Sequence, residues 1–331
     1  MKITNCPSTL AEGYDTYSPT ALRRMFENKK VSHQLDFNND KAYWVEIDER
    51  IRKISISGVQ EKLSAVMEKG KIQLTPTHLQ GKYIIKPIPN NKRLENRHFM
   101  PANEHLTMQI ARQIFNITTA ENALIFFADD EPAYITKRFD FNAENQKVTQ
   151  EDFASLQGKT KQTGGENFKY SGCYLDAKKI FDNYVAASKI ELTKFFKLVL
   201  FNYIFSNGDA HFKNFSLQQT PNGDYMLTPA YDLMNSSLHV NDNDFALDGG
   251  LFPKTYYSET YERKGHPCRT DFETFGKLLE IPSVQITKIT TEFATKTNEV
   301  HQLINQSFLD ERMKRIYRRS YDERMSRINR H

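Results

Sequence analysis

The sequence is poor in cysteine and has no long apolar run. Three cysteines stand among 331 residues, Cys6, Cys173 and Cys268, and no CxxC pair occurs. So odd and scattered a set argues against a disulfide framework or a cysteine zinc site and fits a reducing cytoplasm. No apolar stretch approaches the roughly 18 residues that a membrane-spanning helix needs. The first residues, MKITNCPSTLAEGYD, lack the apolar core of a secretion signal. A cytoplasmic protein without membrane contact is therefore expected.

What is present suits an enzyme. Hydrophobic residues make up 39% and aromatics 12%, enough to bury a sizeable core. The length allows two domains or one bilobal unit at roughly 150 residues each. The formal net charge is only +4. Residues 310–331 carry all of it, with eight Lys/Arg against four acids. A solvated terminal helix face is the plain reading; a basic tail for nucleic acid or an acidic partner is the alternative.

Residues 1–50 mix polar and aromatic residues without a clear period. Within them a helix is predicted over 15–30, started by Ser18-Pro19-Thr20, with Leu22, Met25 and Phe26 on one face. From Trp44 to Leu74 the pattern is strand-like around a small-residue turn, Ser55 to Gln60. Tyr83-Ile84-Ile85-Lys86 reads as another strand, ended by prolines. Leu106, Ile110 and Ile114 place a helix over about 102–116. Two strands, 123–127 and 133–138, flank a turn at Asp129–Pro132. Beyond residue 150 the chain reads as mostly helical, with a Gly- and Lys-rich loop at 158–172 and its most apolar helix over 185–205. A strand-rich first part and a helical second part predict an α+β fold of two lobes with a cleft between them. The lobes are expected at 1–139 and 140–331, with the hinge near Phe139-Asp140-Phe141.

The chemistry centres on Asn207-Gly208-Asp209-Ala210-His211-Phe212-Lys213-Asn214. Protein kinases use Asp-x-x-x-x-Asn to present a catalytic base and a magnesium ligand from one loop. A capped polar loop would show the same letters. Asp232 follows a hairpin predicted over 215–229, where a second magnesium-binding Asp is expected; an Asx-turn cap is the plainer alternative. Upstream, Lys86 on its strand and Glu104 early in the next helix stand in the order of the phosphate-binding Lys and its orienting Glu. An exposed strand-end lysine and a first-turn acid are the bland equivalents. The Ser55–Gln60 loop has one glycine, so it is neither GxGxxG nor GxxxxGK[ST]. Its backbone N–H groups, at Ser57, Gly58 and Val59, would still suit phosphate; an ordinary hairpin turn with solvent-facing serines is the plain alternative. His211 and His239 have no further His or Cys at ligand spacing, so hydrogen bonding within the loop is expected of His211 rather than zinc. A small-molecule kinase of related fold and a pseudokinase acting through the basic tail are the competing functions.

Seven runs in order resemble the HipA-like serine/threonine kinases of bacterial toxin–antitoxin systems. They are ISGVQEKL, YIIKP, NEHLTMQIA, KRFDF, EDFASLQG, NGDAHFKNFSL and YDLMNS, within residues 51–236. The resemblance implies a protein-kinase-like fold using ATP and Mg2+. It implies Asp209 as base with His211 beside it, Asn214 and Asp232 on magnesium, and Lys86 on the ATP phosphates. It implies Lys137 and Phe139 under adenine, mainly through backbone groups, and Asp140 facing the ribose. Ser55 and Ser57 would be autophosphorylation sites. Family targets are aminoacyl-tRNA synthetases. Only about fifty residues precede Ser55, fewer than in full-length toxins of the family. The chain therefore resembles the shorter HipT-like branch. That branch implies a HipS-like small protein, a HipB-like DNA-binding antitoxin through which DNA is met, and tryptophanyl-tRNA synthetase as target.

Prolonged incubation with Mg-ATP should place phosphate on Ser55 or Ser57, adding about −1.5 to −2 charge at the loop. Peptide mass mapping checks this; unmodified peptide alone would count against it.

Overall fold

The computed structural model describes residues 3–40, 60–75, 79–142, 144 and 146–329. The serine loop, with Ser55, Ser57, Gly58 and Val59, lies outside the described residues. Five strands form one antiparallel sheet: β1 (Leu63–Glu68), β2 (Lys71–Leu74), β3 (Tyr83–Lys86), β4 (Asn122–Phe126) and β5 (Pro132–Lys137), in the order β2-β1-β3-β5-β4. Helix α1 (Pro19–Phe26) precedes the sheet, and α2 (Met100–Gln113) lies between β3 and β4 in the chain.

The apolar runs of β4 and β5 follow from burial on both faces. Alternate residues of a strand point to opposite sides. Leu124, Phe126 and Tyr134 join the core that holds Leu106 and Ile110 of α2. Ala123, Ile125, Ala133 and Ile135 join the core that holds Ala21, Met25 and Phe26 of α1. Helix α1 begins as its letters predict. Ser18 caps it by accepting from Ala21 N, Pro19 takes the first turn, and Glu27 ends it in the left-handed region at φ 55°. Its last turn is tied to the sheet by Tyr83 Oη, which donates to the Met25 carbonyl at 2.8 Å.

β4 is an edge strand, yet its edge is not bare. Leu124 N donates to the Pro7 carbonyl at 2.7 Å, Phe126 N to His33 at 2.9 Å, and Ala128 N to Phe37 at 3.0 Å. Segments at Pro7, His33 and Phe37 of the N-terminal region thus cover that edge, the usual protection against unwanted strand pairing. Helix α2 spans Met100–Gln113, two residues earlier than predicted at its start and three at its end.

A small sheet, β6 (Gln150–Asp152), β7 (Ser216–Gln219) and β8 (Tyr225–Leu227), stands among helices. The named helices are α3 (Ala177–Tyr184), α4 (Ser188–Ile204), α5 (Arg269–Leu278), α6 (Ser283–Thr295), α7 (Thr297–Gln306) and α8 (Glu311–Asn329). On α4 the predicted inner face, Phe195, Phe196, Val199, Leu200 and Tyr203, is buried. The Gly- and Lys-rich stretch 158–172 holds two short helical turns, at Lys161–Gly164 and Phe168–Tyr170.

The basic C-terminal residues are helical, as the plain reading has it, but more than a solvated face. They form α8, which inserts Met313, Tyr317, Tyr321 and Ile328 into the main core. Tyr317 Oη lies 2.8 Å from Thr107 Oγ1 of α2. Arg324 and Arg327 both pair with Asp244. Only part of the basic set, such as Arg312, Arg315 and Arg319, is exposed. The amphipathic period explains this: the helix presents one face to the core and its charges to the other. No helix of the described residues is long and apolar enough to cross a membrane.

His105 on α2 is buried, with Nε2 donating to the Ser8 carbonyl at 3.0 Å. Burial pushes its pKa down to about 4, the Ser8 bond opposing weakly. The unfolded ring titrates near about 6.5. The folded chain therefore binds fewer protons in this window, and stability is lost as pH falls from about 6.5 toward about 4. Urea unfolding should show this fall, roughly 3 kcal/mol of it from His105. His105→Gln should remove that share; an unchanged pH profile would show that the ring is not its source.

Candidate active site

The site is built around a lysine. Lys86 ends β3 on a buried face and is 4% exposed. Its Nζ lies 2.6 Å from Glu104 Oε1 and in direct contact with Asp232 Oδ1. Glu104, also 4% exposed, sits in the first turns of α2, and Asp232 lies about 150 residues beyond the lysine. Neither bland equivalent holds: Lys86 is not an exposed strand end, and Glu104 is not a solvated first-turn acid. Burial works against the charged lysine, but the Asp232 and Glu104 carboxylates outweigh it and hold its pKa above the ordinary range. Burial pushes Glu104 up despite Lys86. For Asp232 burial acts upward too, but Lys86, then Lys62, hold it well below the usual carboxylate range. Lys62 Nζ stands 4.0 Å from Asp232 Oδ2.

Asp232 has φ 55°, a left-handed backbone that costs free energy in a residue with a side chain. Asn207 Nδ2 donates to its carbonyl at 3.4 Å, and so links the Asp232 segment to the loop after α4. That loop leaves α4 through Ser206, also left-handed at φ 51°. Gly208 then passes close to the next segment. A Cβ there would sit 2.5 Å from the Asp242 Cβ and 2.8 Å from the Asn243 carbonyl oxygen, so glycine is required. Gly208 N donates to Ser236 Oγ at 2.7 Å.

Asp209 projects from this loop with 55% of its side chain exposed. Its Oδ1 accepts from Tyr170 Oη at 2.9 Å and lies 3.8 Å from His211 Nε2. Asn214 Nδ2 donates to the Asp209 carbonyl at 2.9 Å, closing the loop across the five-residue spacing. The Asn214 amide oxygen has no donor among the described residues. His211 is buried, which lowers its pKa, with the Asp209 charge opposing. Its Nδ1 has no hydrogen-bond partner among the described residues.

A cavity of about 430 Å³, a size suited to a nucleotide, has Lys86, Asp232 and Lys213 in its wall; Asp209, His211 and Asn214 do not line it. Its lining includes the apolar Ile84, Ala120, Phe139, Val148 and Tyr231 and the charged Lys62, Lys86, Lys213 and Asp232. Phe139 and Tyr231 rings lie 5.7 Å apart. Asp140 lines the cavity, but its carboxylate already accepts from Arg138 Nε at 2.9 Å and Nη2 at 2.5 Å. Lys137 also lines it. Its ammonium meets Glu27 at 3.2 Å and its N–H donates to the Glu121 carbonyl at 2.8 Å. That N–H is therefore not available to a base.

Sequence reasoning missed several parts. Tyr170, Lys62, the Lys213–Asp152 pair at 2.6 Å and the Arg138–Asp140 pair carried no spacing signal. It also missed Asn103, beside Glu104. The Asn103 Nδ2 donates to the Asn235 carbonyl at 2.8 Å, and its Oδ1 accepts from Asn235 N at 3.2 Å. His239 Nε2 faces Asn103 Nδ2 at 2.8 Å while its Nδ1 donates to the Glu95 carbonyl at 2.9 Å. His239 thus serves a buried amide network. Among the described residues no group of three or more His, Cys, Asp and Glu is placed to hold a metal.

Asn103→Ala should leave both Asn235 backbone groups without these partners. It should cost about 2–3 kcal/mol in urea unfolding. A loss under about 0.5 kcal/mol, the range of neutral surface changes, would show that the bonds hold nothing.

Comparison with known proteins places these features in a lineage. A Haemophilus influenzae protein named "Putative kinase" is 26% identical over 338 residues, covering 96% of this chain and 94% of its own. The Shewanella oneidensis serine/threonine-protein kinase toxin HipA is 25% identical over 262 residues, 72% of this chain; the match spans 57% of that toxin's length. Among solved structures, a chain of the Shewanella oneidensis complex of HipA, HipB and operator DNA matches with TM-score 0.60 at 21% identity. It covers 82% of this chain and 64% of that one. The Helicobacter pylori proinflammatory kinase CtkA matches with TM-score 0.51 at 15% identity, over 80% and 90% of the two chains. These likenesses show the α+β bilobal kinase-like fold. The family model for the HipA-like C-terminal domain matches residues 54–301, most of the chain, and this protein belongs to that family.

Proposed function

We propose that this protein is an ATP-dependent serine/threonine protein kinase acting as the toxin of a bacterial toxin–antitoxin system. The observation that carries the reading is Lys86, buried between Glu104 and Asp232 in the wall of a nucleotide-sized cavity. Residues 1–139 and 140–331 are taken as the two lobes. Adenine would lie between Ile84, Phe139 and Tyr231, with Phe139 rather than the Lys137 N–H offering a backbone contact. Lys86 would hold the phosphates, exchanging its Asp232 contact for them.

The donor set suits magnesium, which favours few carboxylates plus phosphate oxygens. Asp232 offers a carboxylate kept ionised, and Asn214 an amide oxygen without a donor among the described residues. These two would hold the ion, which when bound neutralises phosphate charge. The acceptor hydroxyl oxygen attacks the γ-phosphorus, and the bond to the β–γ bridging oxygen breaks. ADP departs with that oxygen, and the hydroxyl proton passes to the Asp209 carboxylate. His211, kept neutral by burial, would support the loop rather than carry charge.

The finer reading follows the family. The target would be an aminoacyl-tRNA synthetase, tryptophanyl-tRNA synthetase first, and Ser55 and Ser57 would be self-phosphorylated. A HipB-like antitoxin and a HipS-like protein would be the partners in the cytoplasm, with DNA reached through the antitoxin.

Asp209→Asn should lower phosphate transfer to protein at least about hundredfold, the usual share of a general base, while ATP still binds. Asp232→Asn should lower both transfer and Mg-ATP affinity. Radiolabelled ATP with lysate protein and small acceptors reads both. Transfer that persists in both variants sinks the assignment, and label only on small acceptors points to a small-molecule kinase.

A further inference from the structure

The loop at 158–172 ends in a firmly placed strip. Asp248 N donates to the Tyr170 carbonyl at 3.1 Å and Gly249 N to Gly172 at 2.9 Å. Tyr174 N donates to Gly250 at 3.0 Å and Leu175 N to Leu251 at 2.9 Å. A Cβ on Gly249 would lie 2.8 Å from the Gly172 carbonyl oxygen, so the approach depends on glycine. The first part of the loop is exposed, but residues 170–175 are laced to 248–251.

Two tyrosines of this strip reach the catalytic loop. Tyr174 Oη is buried and donates to the Ala210 carbonyl at 2.7 Å. Tyr170 Oη donates to Asp209 Oδ1 at 2.9 Å. The Tyr170 ring meets His211 edge-on with centroids 5.2 Å apart, and the Lys169 ammonium stands 4.8 Å from the ring centre. Tyr170 therefore acts on Asp209 itself, and Tyr174 on the backbone beside it. Burial, the Asp209 charge and their hydrogen bond raise the Tyr170 pKa, so the hydroxyl remains a donor. Asp209 is over half exposed, and a free carboxylate there would rotate. Its Oδ2 has no donor among the described residues. The same ring lines a second cavity of about 570 Å³, with Asp242, Phe245, Tyr257 and Lys264. Tyr170 does not line the nucleotide cavity.

We propose that Tyr170 is a positioning residue for phosphoryl transfer. Its hydroxyl holds Oδ1 of Asp209 so that Oδ2 is presented to the acceptor hydroxyl, and its ring forms a wall of the opening through which the acceptor protein segment approaches. The inference rests on the kinase reading of the site.

The test is steady-state transfer to a protein acceptor by the full chain. Tyr170→Phe keeps the ring and should lower kcat about tenfold, the effect of losing one hydrogen bond to a charged group. KM for ATP and the unfolding midpoint should stay unchanged. Tyr170→Ala should lower kcat similarly and also raise KM for the protein acceptor. Tyr174→Phe is the contrast, since it should lower the unfolding midpoint. A Phe variant with unchanged kcat overturns the inference. A raised kcat does so too, because the hydroxyl would then compete with the acceptor. An Ala variant with unchanged acceptor KM removes the ring from the approach route. A wild-type chain that transfers no phosphate would instead overturn the kinase reading itself.

Discussion

The buried ammonium of Lys86 is the constraint on which the rest depends. A lysine that is 4% exposed cannot stay charged without partners, and two carboxylates supply them. Such groups rarely add net stability, but removing one partner leaves a buried charge and costs about 3–5 kcal/mol. The chain therefore has to bring β3, α2 and the segment after β8 to one point. Most of what surrounds the cleft can be understood as holding those three elements in register.

Two devices do this. The sheet is buried on both faces, so a slip of one residue would move its apolar side chains to the wrong cores and turn Lys86 away from Glu104. Asn103 then joins α2 to residue 235 through a paired amide, three residues from Asp232. These bonds tie the helix that carries Glu104 to the segment that carries Asp232. Helix α8 supports the same joint, since Ser320 Oγ accepts from Asn235 Nδ2 at 3.2 Å and Tyr317 meets Thr107. The basic C-terminus is thus scaffolding as well as surface.

The loop from Asn207 to Asn214 has a different character. It stands on the rigid, aromatic-packed α4 but departs from it through strained backbone at Ser206, and Asp232 opposite is strained too. Strain at two facing points persists only where neighbours over-determine it. Here Ser236, Asn207 and the two tyrosines of the 170–175 strip supply those neighbours. Asp209 remains exposed at the end of that support, as the role of proton acceptor proposed for it requires.

Local letters carried the elements whose cause is local. Ser18-Pro19 starts a helix, the period of Leu106 and Ile110 shapes α2, and the apolar run 185–205 becomes α4. They also singled out Lys86, Glu104 and Asp232, which the structure brings into contact, and the spacing from Asp209 to Asn214, which a hydrogen bond closes. The N-terminal cover of β4 was not legible, since its role is backbone hydrogen bonding that no side-chain period reports. Nor were Asn103 with Asn235, Arg138 on Asp140, or Tyr170 on Asp209. Sequence by itself determined the inventory of chemical groups and the helices and strands that bear them. Tertiary structure alone decided which groups are buried together, because burial and pairing at 2.6–2.9 Å depend on segments far apart in the chain.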